Sequence, residues 1–227
     1  QAAIIDLDGT LIDTLDDFVC ALNHMLADLS LPAGTPTTVP RSVVERCIGK
    51  GSEHLIRSVL KEVLAVGAAD MSAMNFEALQ APAWRSYQAH YLAINGQQAS
   101  VYPGAVLGLE ALQRRGLPLA CLTNKPTAFA LPLLKAKGLD GFFSQVFGGD
   151  AFERKKPDPL PLLKTCEALG TLPARTLMVG DSSNDAQAAR AAGCPVLLVT
   201  YGYNHGQPAR QVDADGFVDS LAELAAT

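Results

Sequence analysis

Charge is in short supply in this sequence. Asp, Glu, Lys and Arg make up 18% of its 227 residues, below the usual quarter, while apolar residues reach 48%. That much apolar material offsets the entropy of ordering a chain, so intrinsic disorder is excluded. Long hydrophobic runs are missing too: none approaches the roughly 20 residues that a bilayer span needs. Basic residues are outnumbered 18 to 23, which leaves a formal charge of −5. With a pI near 5.3, neither nucleic acid nor an anionic membrane is the expected partner. The start, Gln1-Ala2-Ala3-Ile4-Ile5-Asp6, has neither the basic n-region nor the apolar stretch of a signal peptide. It also has no initiator Met, which suggests that a few native residues or a tag were trimmed. A cytoplasmic protein, monomer or homodimer, is expected.

Cysteine is sparse and unpatterned. Cys20, Cys47, Cys121, Cys166 and Cys194 are odd in number and scattered, with no Cys-x-x-Cys, so no disulfide framework is expected. They read as small apolar side chains of a reducing compartment. His24, His54, His90 and His205 show no His-x-x-x-His spacing and read as helix-surface or loop residues.

What is present is periodicity, and it changes along the chain. Ala2–Asp8 is a short apolar run of the kind that forms a buried strand. Leu15, Phe18, Val19, Leu22, Met25, Leu26 and Leu29 then recur at steps of three and four, with Thr14 as the expected N-cap and Pro32 as a stop. Pro40–Ile48 predicts a short helix closed by Gly49, and Ser52 is expected to cap a third, with Gly67 beyond its end. Phe76, Leu79, Ala83, Tyr87 and Tyr91 carry the helical period on, with Pro82 expected to kink or restart it. Trp84, Tyr87 and Tyr91 read as core of this helical part. From Asp16 to Gln98 the chain therefore reads all-helical.

Beyond Tyr102-Pro103-Gly104 the pattern alternates. Helices are predicted over Val106–Arg115, Thr127–Lys137 (despite Pro132), Leu160–Leu169 and Ser183–Ala192. Strands are predicted over Leu117–Thr123, Gln145–Gly148, Thr176–Gly180 and Pro195–Thr200. Such alternation implies a parallel sheet covered on both faces. The expected class is α/β: a Rossmann-like parallel-sheet core from 1–15 and 99–227, with an all-helical cap, 16–98, inserted.

Ligands of open parallel sheets bind beyond the carboxyl ends of the strands. The first strand ends in Asp6 and Asp8, the second in Thr123-Asn124, and a later one in Gly180-Asp181, with Asp185 a helical turn on; Lys156 lies in a loop. Converging carboxylates repel unless a cation holds them, and oxygen-only ligands suit Mg²⁺. Thr123 and Lys156 supply a donor and positive charge for phosphate oxygens, and Gly9 allows close backbone approach. As separate features, Asp8-Gly9-Thr10 would be a turn and Asp181-Ser182-Ser183 a helix cap; their joint occurrence on one rim points instead to phosphoryl chemistry.

These segments resemble the four motifs of the haloacid dehalogenase-like hydrolases: Asp6-Leu7-Asp8-Gly9-Thr10-Leu11, Leu122-Thr123-Asn124, Lys156-Pro157 and Gly180-Asp181-Ser182-x-x-Asp185. They occur in the family's order and span the chain. The helical insertion is similar to the family's cap of the first type. Thr123-Asn124-Lys125-Pro126-Thr127, Gly148-Gly149-Asp150, Thr200-Tyr201-Gly202-Tyr203-Asn204 and Ile48-Gly49-Lys50-Gly51 are similar to segments of its phosphoglycolate phosphatase branch. Two departures are visible: Lys50 stands where that branch often has a polar residue such as Asn, and Pro157-Asp158-Pro159-Leu160-Pro161 varies its proline-rich lysine loop.

The resemblance implies a Mg²⁺-dependent phosphatase acting on a small phosphorylated metabolite, with 2-phosphoglycolate as the implied substrate. Asp6 would be the nucleophile that forms an aspartyl phosphate, and Asp8 the acid and base. Asp6, the Asp8 carbonyl and Asp181 would hold Mg²⁺, with Asp185 orienting bound water or Lys156. Thr123 and Asn124 would grip phosphoryl oxygens, and Lys156 would neutralise charge. Gly49 and Lys50 are the expected cap contacts to the leaving group, against the alternative of a helix–helix turn with a solvated lysine. Gly49-Lys50-Gly51 is no P-loop, since Val44 stands at the required first glycine, and no dinucleotide fingerprint, since His54 stands at the third. Other readings are a phosphatase for a sugar or sugar-acid phosphate and a phosphomutase. A phospho-accepting receiver domain of roughly 120 residues would carry no such cap.

Overall fold

The computed structural model describes residues 1–67 and 76–225. The parts of the expected cap and core that fall on 68–75 and 226–227 lie outside the described residues.

Six parallel strands form the main sheet: β1 (Ala2–Ile5), β4 (Leu119–Leu122), β5 (Gln145–Phe147), β6 (Thr176–Gly180), β7 (Val196–Val199) and β8 (Gly216–Val218). Their spatial order is β5-β4-β1-β6-β7-β8. All four residues of β1 and of β4 are buried, which explains why these strands read as unbroken apolar runs rather than as alternations. β1 pairs with β4 through Ile4 and Ala120, and with β6 through Ile4 and Met178. Helices α5 (Ala105–Arg114), α6 (Thr127–Ala136), α7 (Leu160–Ala168) and α8 (Ser183–Ala192) complete the α/β core. Its apolar interior divides between two clusters, one including Ile5, Leu109 and Leu133, the other Ile4, Leu162 and Ala189. In α8 the buried Ala186, Ala188, Ala189 and Ala192 keep that helix close to the sheet.

The inserted helices are α1 (Leu15–Asp28), α2 (Arg41–Cys47), α3 (Ser52–Val66) and α4 (Phe76–Ile94). They bury their own cluster, in which Leu22, Met25, Leu60, Tyr87 and Tyr91 are fully enclosed. This is the burial that an amphipathic helix needs for stability in water.

Four local expectations change. α4 runs unbroken through Pro82, because Ala83, Tyr87 and Tyr91 are anchored in the cap core and tertiary packing outweighs one missing backbone donor. The Thr14 and Ser52 side chains cap neither α1 nor α3. Ser52 is the first residue of α3, behind Gly51, and the Thr14 hydroxyl is taken by Asp8. A two-residue antiparallel ribbon, β2 (Ile12–Asp13) with β3 (Ser100–Val101), joins the two passages between core and cap. β8, three residues at the sheet edge, was also not anticipated.

Candidate active site

β1 lies where the winding of the sheet reverses, so the chain leaves its carboxyl end into the crevice between the β4 and β6 loops. Asp6 is anchored by its own N–H on Val179 O, at 2.9 Å. The Leu7 carbonyl accepts from the N–H groups of Thr10, Leu11 and Ile12, which winds Asp8-Gly9-Thr10 into a tight turn. Gly9 has φ +86°, and a Cβ there would overlap the Asp181 carboxylate and the Tyr203 ring.

Lys156 sits opposite, 4% exposed, in the loop between β5 and α7. Its ammonium donates to Asp6 Oδ1 at 2.8 Å, Asp185 Oδ1 at 2.6 Å and Leu122 O at 2.9 Å, which uses all three N–H groups. Burial alone would lower its pKa, but the Asp185 and Asp6 carboxylates hold it above the ordinary lysine range. The Lys156 backbone is fixed as well: its N–H donates to Asn124 Oδ1, and its carbonyl accepts from Asn124 Nδ2.

Asp6, Asp181 and Asp185 are buried together, each offering a carboxylate oxygen within 4.8 Å of the others. Burial pushes the Asp6 carboxyl up to about 7 even with Lys156 beside it. Asp181 is pushed well above the usual carboxylate range by burial and then by Asp185 and Asp6. Three enclosed carboxylates facing one lysine leave uncompensated negative charge, and an all-oxygen donor set of this kind fits a hard divalent cation. Asp181 is boxed in by Gly9 and Gly202, where a Cβ would overlap its side chain, and Tyr203 N–H donates to its Oδ2 at 2.7 Å. Asp185 Oδ2 accepts from Ser182 N and Ser182 Oγ at the start of α8. Helix cap and acidic motif are thus the same residues.

Asp8 faces the cap side. Its Oδ1 accepts from the Thr14 hydroxyl at 2.8 Å and from Lys125 Nζ at 3.1 Å. Lys125 also donates to Tyr91 Oη at 2.5 Å, and its ammonium lies 4.4 Å from the Phe18 ring centre and 4.6 Å from that of Tyr91. Phe18 and Tyr91 belong to the cap helices, Lys125 to the core. A second clasp closes the other side: Gly49 O accepts from Asn124 Nδ2 at 2.8 Å and Asn184 Nδ2 at 3.1 Å, and the His205 imidazole lies 3.2 Å from Asn184 Nδ2.

Between the clasps lies a narrow cleft, lined on the core side by Asp6, Asp8, Thr123, Asn124, Lys125 and Lys156. Ile48, Gly49, Gly51, Ser52 and Leu55 line it from the cap. The structure therefore brings Asp6, Asp8, Thr123, Asn124, Lys156, Asp185 and Gly49 to one cleft, with Asp181 beside Asp6. Two anticipated residues fall elsewhere. Gly9 lies under Asp181 rather than along the cleft, and Lys50 is exposed between two lining glycines and does not itself line the cleft. The Asn124 side chain is spent on Lys156 and Gly49 rather than left for a phosphoryl oxygen. Lys125, Tyr203, Asn184 and His205 were not singled out from the sequence as site residues; for Lys125 and Tyr203 the signal was their place within the quoted motif segments.

A doubly wound parallel sheet with this acidic cluster at its switch point, roofed by an inserted helical cap, is the architecture of a hydrolase family. The chain belongs to the haloacid dehalogenase-like hydrolases, whose family model matches residues 3–199. It is similar to the phosphoglycolate phosphatase of Thiobacillus denitrificans, 44% identical over 99% of this chain and 94% of that one. It is similar also to the plasmid phosphoglycolate phosphatase of Cupriavidus necator, 45% identical over 99% and 91% of the two chains. Among solved structures, a predicted phosphoglycolate phosphatase from Haemophilus somnus superposes with a TM-score of 0.88, at 33% identity over 99% of this chain and 96% of that one.

Proposed function

We propose that the protein is a phosphatase hydrolysing 2-phosphoglycolate to glycolate and phosphate through an aspartyl phosphate. The observation that carries the reaction type is the shared cleft: Asp6 and Asp8 face it with Thr123 and Lys156 beside them. Asp6 keeps Oδ1 on Lys156, which leaves Oδ2 for attack on phosphorus. As the P–O ester bond breaks, Asp8 gives a proton to the leaving alcohol; it then takes one from the water that attacks phosphorus and frees Asp6. Thr123 and Lys156 stabilise charge on the phosphoryl oxygens. Asp6, Asp181 and Asp185, with the Asp8 carbonyl, would hold Mg²⁺, which when bound offsets the negative charge of carboxylates and phosphate.

The substrate assignment is supported by the two relatives above, both named phosphoglycolate phosphatase. The division that suits this chemistry is a core of 1–15 and 99–227 and a cap of 16–98 that shields the reaction from bulk water. A cytoplasmic location is in keeping with five free cysteines. Phosphate release measured across small phosphoesters tests the reading: 2-phosphoglycolate should give the highest kcat/KM, with inorganic phosphate and glycolate as products. An isomeric phosphate in place of inorganic phosphate would make the enzyme a mutase.

A further inference from the structure

Two lysines line the cleft, and they differ in what they have left to give. The Lys156 ammonium is saturated by Asp6, Asp185 and Leu122 O. Lys125, whose side chain is 1% exposed, donates to Asp8 Oδ1 and to Tyr91 Oη, and its remaining N–H has only a long contact, 3.5 Å, to Asp8 Oδ2. Burying an ammonium ion is costly unless it is well paired. A lysine used only to pair with Asp8 could do so from a wetter place. Here it is enclosed by two cap rings, Phe18 and Tyr91, at the edge of the cleft where a leaving group must lie.

The position sets a distance rule. A general acid must reach the ester oxygen of the leaving group within hydrogen-bond distance. Lys125 Nζ is 3.1 Å from Asp8 Oδ1, so a group that sits at Asp8 has Lys125 as its next neighbour. In a 2-phosphooxy acid the carboxylate carbon is two covalent bonds from that ester oxygen, which brings its oxygens to the ammonium. The low-dielectric surroundings of the two rings strengthen such a contact. Resting on the phosphatase reading above, we infer that Lys125 is the residue that selects the substrate, binding the carboxylate of a short 2-phosphooxy acid beneath a roof that the closed cap supplies. The exposed Lys50 takes no part in this recognition.

The test compares kcat/KM for 2-phosphoglycolate with that for 2-hydroxyethyl phosphate, which carries an alcohol in place of the carboxylate. In Lys125→Met the ratio of the two should fall by roughly ten- to hundredfold, the scale of a charge-assisted contact, mainly through KM for phosphoglycolate. Lys125→Arg should recover part of the ratio, and Lys50→Ala should leave it unchanged. Lys125→Gln, which keeps an N–H donor to Asp8, supplies the same comparison if the Met variant does not accumulate folded. An unchanged ratio in these variants, or a collapse in Lys50→Ala instead, overturns the inference. So does loss of the folded circular-dichroism spectrum in both Lys125 variants, since Lys125 would then be a structural residue. Failure of the parent reading looks different: the unmutated enzyme would show no preference for phosphoglycolate over hydroxyethyl phosphate, and the role of Lys125 would fall with it.

Discussion

Asp6 and Asp8 are two residues apart and have opposite neighbours: Asp6 leans on Lys156 within the core, Asp8 on Lys125 and Thr14 toward the cap. This division of partners suits one carboxylate to attack and the other to carry protons. Asp6→Asn should lose turnover to background in a phosphate-release assay while its circular dichroism stays native. Asp8→Asn should lose roughly 10²–10⁴-fold, the usual worth of acid–base work. Substantial activity of freshly prepared Asp6→Asn, with deamidation excluded by mass spectrometry, would refute the covalent route. These two residues, with Thr123, Lys156, Asp181 and Asp185, were legible in the sequence because each sits at a strand end, in a loop or, for Asp185, in the first turn of the helix that follows a strand. Lys125 was not, because what marks it is supplied from far along the chain, by Asp8, Phe18 and Tyr91. Lys50 differs again: its flanking glycines line the cleft while its own side chain is exposed, and glycines announce backbone freedom without fixing the side chain between them.

At the scale of elements, the helical insertion is held to the core at both ends of the cleft. The α2–α3 turn is clasped through Gly49 O, which receives the Asn124 and Asn184 amides, and Gly49 itself has φ +105° with little room for a Cβ beside Asn184 and His205. Asn184→Ala removes one donor without touching Asp6 or Asp8. It should raise KM several-fold with a smaller change in kcat, as read from steady-state kinetics; equal changes in both would place Asn184 in the chemical step. The cap also has its own ties. Asp28, at the end of α1, accepts from Ser86 Oγ and pairs with His90 on α4, each at 2.7 Å. The Ser86 hydroxyl and His90 hold its carboxyl below the usual aspartate range. A depressed carboxyl contributes stability that is present above its unfolded pKa and is lost as pH falls through the folded value. Asp28→Asn should therefore melt slightly below the parent at pH 7, with the two melting temperatures converging in acid. A difference that persists at low pH would assign the tie to something other than charge. The helices and inner strands were readable from apolar spacing, whereas β2, β3 and β8, of two or three residues each, are too short to show any period.

At the scale of the molecule, the sheet, the cap and the acidic cluster depend on one another. Asp6 and Asp181 have their carboxyls raised by burial, so the enclosed site is electrostatically incomplete by itself. Exhaustive chelation should abolish phosphate release, Mg²⁺ should restore it, Mn²⁺ should substitute, and the larger Ca²⁺ should inhibit. Mg²⁺ should also raise the melting temperature in a concentration-dependent way, because a ligand of the folded state alone stabilises it by mass action. Full activity after chelation would refute the metal assignment.

The central strand carries a further consequence, one of timing. β1 occupies Ala2–Ile5 and leaves the ribosome before every other strand of the sheet, yet its two hydrogen-bonded neighbours begin at Leu119 and Thr176. Until the second of these has been synthesised, one edge of β1 has no partner, and Asp6 has neither Asp181 nor Asp185 beside it. The helices from Leu15 to Ile94 meet mostly one another and can gather much earlier. The roof of the cleft is thus available to a nascent chain well before its floor, and Asp6, Asp181 and Asp185 converge only once the start of α8 has been made.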